Sequence, residues 1–160
     1  MKAGNRIFKA TLVCTALITL GAATTMRVEA HGDVVPQSVD VSALKPLGAE
    51  WKKENPYRGD KEAIRIGSSA YNQNCARCHG LEVISGGISP DLRKMNAECD
   101  SFAGKKAKEQ CKTEMDTYFR NSVLGGKVRG DRVYMPAFAG ILNQEAIWAI
   151  KAYVETRPAE

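Results

Sequence analysis

The sequence predicts an all-α fold, and the spacing of its apolar residues is the main reason. Three segments beyond residue 59 carry apolar side chains three and four positions apart, the period that collects them on one helical face. Glycine and proline interrupt the chain between those segments, and apolar/polar alternation never lasts long enough for a useful strand. With 160 residues there is room for one domain and a modest core.

Residues 1–30 read as a signal peptide. Lys2, Arg6 and Lys9 form a basic start, Thr11 to Thr25 is apolar and uncharged, and Val28-Glu29-Ala30 offers a cleavage site after Ala30. The apolar run is short for a bilayer span of roughly 20 residues, so cleavage is expected rather than an anchor, with no stable membrane span afterwards. Cys14 lacks the small residues that precede a lipidated cysteine. Residues 31–59 contain three prolines and no sustained period. They read as an N-terminal extended arm that wraps the domain of residues 60–160, held by Val34, Val35, Leu44, Leu47 and Trp51.

The first helix is expected from Asp60, its cap, to Cys78. Ile64, Gly67, Tyr71, Cys75 and Cys78 share its face, and Gly80 can take the left-handed conformation that stops it. Leu81 to Met95 is a loop, and Asn96 to Gln110 a polar, lysine-rich insertion bracketed by Cys99 and Cys111. Lys112 to Leu124 reads as a second helix burying Met115, Tyr118, Phe119 and Ser122. Residues 125–140 look irregular. Asn143 caps a last helix to Thr156 with Ile147, Ile150, Tyr153 and Val154 as its stripe. Trp148 lies beside that stripe, where the arm could cover it.

Charge excludes one class of partner. The leader holds four of the 23 basic and one of the 18 acidic residues, leaving 19 against 17. The basicity of the whole chain is therefore mostly targeting signal and gives no support for nucleic-acid binding.

The chemistry lies in Asn74-Cys75-Ala76-Arg77-Cys78-His79-Gly80. A zinc set of Cys75, Cys78, Cys99 and Cys111 would leave His79 without a role. Export favours pairing Cys99 with Cys111 in a disulfide instead, although a free-thiol redox role for that pair is an alternative. A thioredoxin-like dithiol needs its cysteines at the start of a helix after a strand; here they end a helix. The remaining reading is covalent haem attachment, with both thiols bonded to one haem c and His79 as proximal iron ligand. For the sixth ligand the mature chain offers Met95, Met115, Met135 and His31. Met115 sits on a helical stripe, and Met95 follows a loop still occupied with the proximal side. Met135, beside Pro136 in an irregular stretch, is the expected ligand, with an open site or His31 as alternatives.

Residues from about Asp60 to Arg157 resemble the small class I cytochromes c. Gly67 and Tyr71 ahead of the Cys75-to-His79 motif match that family's first helix, Ile150 and Tyr153 its last, and Met135-Pro136-Ala137-Phe138 its methionine loop. The resemblance implies the small cytochrome c fold, three to five helices around one covalently bound haem. It implies Cys75 and Cys78 as attachment points, His79 and Met135 as axial ligands, and the Pro90 carbonyl as acceptor for the proximal histidine. The arm HGDVVPQSVD, the stretch around the motif and the C-terminal VYMPAFAGILNQEAIWAIKAYVE resemble the cytochrome c-550 type. That type implies a periplasmic acceptor for quinoprotein (PQQ-dependent) alcohol or ethanol dehydrogenase, passing electrons to a terminal oxidase or another cytochrome.

An electron carrier is therefore expected rather than an enzyme. Its steering charge would come from Lys105, Lys106 and Lys108, or from Lys127, Arg129 and Arg132, and Arg93 or Arg132 could meet a haem propionate. The rival readings are a haem enzyme or gas sensor, peroxidase-like or binding NO or CO, with a displaceable methionine, and a piece of a larger respiratory complex.

Overall fold

Asp60 opens the first helix, α1 (Lys61–Asn74), by accepting hydrogen bonds from the Glu62 and Ala63 amides on its side chain. The computed structural model describes residues 35–157; the expected leader and its cleavage point, Val34 and His31 lie outside them. The single helix expected from Asp60 to Cys78 is in fact two. Cys75 leaves helical geometry at φ −121°, ψ −36°, and a one-turn helix, α2 (Ala76–His79), follows. Buried Asn74 marks the break: its Nδ2 donates to the Ala70 carbonyl while its Oδ1 accepts from the Gln37 amide of the arm. Such side-chain bonds to backbone compete with the helical ladder.

The second long helix, α3 (Lys105–Gly125), begins earlier than its apolar stripe suggests. Lys, Ala, Glu and Gln are good helix formers and extend it into the polar insertion. Its buried residues are Asp116, Phe119 and Val123; Tyr118, expected inside, is 54% exposed, because the buried face is rotated towards Asp116. Residues 127–135 correct the irregular reading. They form a two-stranded antiparallel hairpin, β1 (Lys127–Arg129) and β2 (Arg132–Met135), turning at Gly130-Asp131. Both strands are exposed almost throughout, so the alternation that would reveal them is missing. The last helix, α4 (Gln144–Val154), is capped by Asn143, whose side chain accepts from the Ala146 amide.

The helices pack through one close crossing. α1 meets α4 at Gly67, where a Cβ would stand 1.9 Å from the Ala149 carbonyl oxygen. Ala70, Tyr71, Phe119, Val123, Phe138, Ile147, Ile150 and Tyr153 form the main core around it. Full burial of each large apolar side chain contributes about 1.5–3 kcal/mol. A second cluster joins Trp148 and Ala149 to Leu44 and Tyr57 of the segment before α1. That segment is fastened by backbone amides: Leu47 donates to the Glu145 carboxylate at 2.8 Å, Lys52 to Gln144 at 2.9 Å and Asn55 to Asp116 at 2.8 Å. Among its expected anchors Leu44 is buried, whereas Val35 and Trp51 stay exposed.

Candidate haem site

The site is built on the break between α1 and α2. The Cys75 amide still donates to the Tyr71 carbonyl at 2.8 Å, while its own carbonyl accepts from both Cys78 and His79. This tight turn sets Cys75, Cys78 and His79 side by side at the end of α1. Neither cysteine is in a disulfide. Burial pushes the Cys75 thiol up to about 12, with Cys78 adding to the shift. Cys75 is therefore held as the neutral thiol.

His79 is half-buried. Its Nδ1 lies 3.0 Å from the Pro90 carbonyl. A carbonyl only accepts, so Nδ1 carries the proton and donates, and Nε2 keeps its lone pair for a metal. Burial lowers the basicity of the ring and the Pro90 contact partly restores it. Pro90 reaches this position because residues 80–89 loop back: the Ser85 hydroxyl donates to the Ser89 carbonyl, and Asp91 starts the next turn by accepting from the Arg93 amide.

Met135 ends β2 and is half-buried against the main core, against which Cys75, Leu92 and Met95 also pack. Met95 lines a pocket with Leu92, Asn96 and Lys151, and Met115 lies within α3. Arg93 forms an ion pair with Asp91 at 2.8 Å; Arg132 is exposed. Cys99 and Cys111 are joined in a disulfide, which removes them from any four-cysteine metal set. Two unpaired thiols, an imidazole with Nε2 available and a half-buried thioether fit the donor set of covalent haem. Both flanking segments also leave apolar side chains uncovered, Leu81, Ile84 and Ile88 on one and Val133 and Tyr134 on the other.

Several contacts around the site could not be read from spacing. Tyr71 donates its hydroxyl to the Gly80 carbonyl at 2.8 Å, and Arg157 pairs with Glu82 at 2.7 Å. Asp116 and Lys151, both fully buried, form an ion network with Arg58 and Glu155. The only trace of the network in the sequence is a charged residue inside each apolar stripe.

A small helical domain with a Cys-x-x-Cys-His turn defines the class of c-type cytochromes. Residues 62–154 match the family described as cytochrome c oxidase, cbb3-type, subunit III, and the chain belongs to this cytochrome c family. It is 45% identical over 144 residues to "Cytochrome c550" of Pseudomonas aeruginosa (strain PAO1), covering 88% of this chain and 90% of that one. It is 32% identical to parts of two proteins of Pseudomonas putida, quinohemoprotein alcohol dehydrogenases ADH IIB and ADH-IIG. Those matches span 66% and 61% of this chain but only 13% and 11% of the dehydrogenases. No solved structure matches the chain. The protein is thus a single-haem c-type electron carrier with covalently bound haem c. Among the described residues no helix is long and apolar enough to cross a membrane.

Proposed function

We propose that this carrier works in the periplasm, taking electrons from a quinoprotein (PQQ-dependent) ethanol dehydrogenase and handing them to a terminal oxidase or another cytochrome. In this reading residues 1–30 direct export and are removed. Cys75 and Cys78 hold the haem by thioether bonds, and His79 and Met135 are the axial ligands. The observation that carries the reading is the His79 turn, its Nδ1 engaged by Pro90 and both thiols beside it. The likeness to a cytochrome c550 and to segments of quinohemoprotein alcohol dehydrogenases supports the choice of donor.

The haem supplies a one-electron couple. The residues set its terms. Pro90 orients the His79 ring and raises its basicity. Met135 contributes a neutral thioether, which favours the reduced state over a second imidazole and leaves no position for substrate. Lys127, Arg129 and Arg132 sit on the exposed hairpin that ends in Met135. They are suited to steering a brief encounter of the small interface type.

The test mixes the purified carrier with reduced quinoprotein ethanol dehydrogenase and follows haem reduction by stopped flow. Fast reduction that slows as salt rises is expected. No transfer at micromolar concentrations removes the donor assignment. Rapid carbon monoxide binding by the native ferrous protein, with catalytic peroxide turnover, would favour an enzyme or sensor over a carrier. Replacing Met135 by Ala should open the iron to carbon monoxide; an unchanged spectrum would remove Met135 as ligand.

A further inference from the structure

Three of the four residues after His79 hold an unusual backbone. Gly80 has φ +82°, and a Cβ there would stand 1.8 Å from the Ile84 carbonyl oxygen. Glu82 and Val83 also have positive φ, +55° and +65°. A β-branched residue seldom adopts that region and persists there only when its surroundings force it.

Three contacts supply the force. Val83 is fully buried in the main core. The Tyr71 hydroxyl donates to the Gly80 carbonyl at 2.8 Å. Glu82 is paired with Arg157, just past α4, at 2.7 Å. Arg157 is itself fixed, its guanidinium stacked 4.6 Å from the Tyr153 ring centroid with Nε buried and unbonded. Tyr153 in turn lies 5.5 Å from Tyr71. The segment just past α4 and the last turn of α1 therefore hold the same turn together. That turn is the start of the loop that carries the Pro90 carbonyl back to His79.

We infer that Tyr71, Glu82 and Arg157 are positioning residues that keep the His79 imidazole on the Pro90 carbonyl. The inference rests on His79 being the iron ligand. A firmly held Nδ1–H···O bond makes the imidazole a stronger donor, which favours ferric iron and lowers the midpoint potential. Loosening the turn reverses this.

The experiment compares the holoprotein with its Tyr71→Phe, Glu82→Gln, Arg157→Ala and Arg157→Lys variants. Two readouts are used: solvent exchange of the His79 Nδ1 proton by NMR in the ferrous state, and the midpoint potential. Tyr71→Phe, Glu82→Gln and Arg157→Ala should each speed exchange at least tenfold and shift the potential upward, while Arg157→Lys, which keeps the ion pair, stays near the parent. Glu82 is exposed, so its variant folds even if Arg157→Ala does not. Unchanged exchange and potential in Tyr71→Phe and Glu82→Gln, with or without a fall in stability, overturn the inference. The parent protein separates the two failures. If its His79 ring protons lack the large upfield shift of a haem ligand, the ligand reading fails. If they show it and the variants do nothing, only the positioning role fails.

Discussion

Gly67 is where a single missing atom decides the architecture. Its α-carbon faces the Ala149 carbonyl so closely that any side chain must push α1 and α4 apart. Gly67→Ala should therefore cost about 1–3 kcal/mol, the range of overpacked sites, read as a lower urea midpoint. Gly86 has open space around it, and Gly86→Ala should stay within about 0.5 kcal/mol of the parent. Equal losses at the two positions would contradict the close crossing. Tyr118 makes the opposite point. Its spacing placed it with the core, yet it lies exposed under the Lys127 ammonium, 4.8 Å from the ring centroid.

The polar insertion is held by a staple and a helix together. The Cys99–Cys111 bond joins the short turn Glu98–Ser101 to the first part of α3, across a separation of 12 residues. In the chain-entropy view such a loop is worth roughly 3 kcal/mol. Reduction, or Cys99→Ser with Cys111→Ser, should lower stability by about that amount. Amide protection should be lost in residues 105–111 and kept at Phe119 and Val123, which belong to the main core. Uniform loss of protection along α3 would show that the disulfide supports the whole fold rather than one end of it.

The molecule as a whole is tied together by buried charge. Arg58 lies before α1, Asp116 in α3, and Lys151 in α4 with Glu155 just after it. Arg58 Nη2 bonds both carboxylates at 2.8–2.9 Å, and the Lys151 ammonium meets Glu155 at 2.8 Å and Asp116 at 3.6 Å. The Asn96 amide also donates to Glu155, at 2.9 Å. Removing one partner strands the others, so Asp116→Ala should cost about 3–5 kcal/mol, measured by urea unfolding. Burial acts to raise the Glu155 pKa, but the hydrogen bonds and charges of Arg58 and Lys151 outweigh it and hold it below its ordinary value. A depressed carboxylate stabilises the fold above its unfolded pKa, about 4.3, and loses that contribution as pH falls through the folded value. Stability should therefore drop on acidification below about pH 4, and Glu155→Gln should flatten that slope. An identical acid profile in the variant would show that Glu155 carries none of it.

Local features were legible because they depend on neighbours in the chain. The three long helices, the Asp60 and Asn143 caps and the contiguous Cys75, Cys78 and His79 all follow from residues within a turn or two of one another. The resemblance to class I cytochromes c added the Pro90 contact, which spacing alone does not reveal, and the 3.0 Å separation from His79 Nδ1 is present. Folding in three dimensions settled the break at Cys75, because the arm's Gln37 amide engages Asn74. It also settled which side of α3 turns inward, since a lone Asp116 in a helix gives no sign of the Arg58 and Lys151 that neutralise it. The positive-φ turn at Gly80, Glu82 and Val83 belongs with these, for its contacts come from Tyr71 and Arg157, far apart in sequence, and from the burial of Val83 in the core.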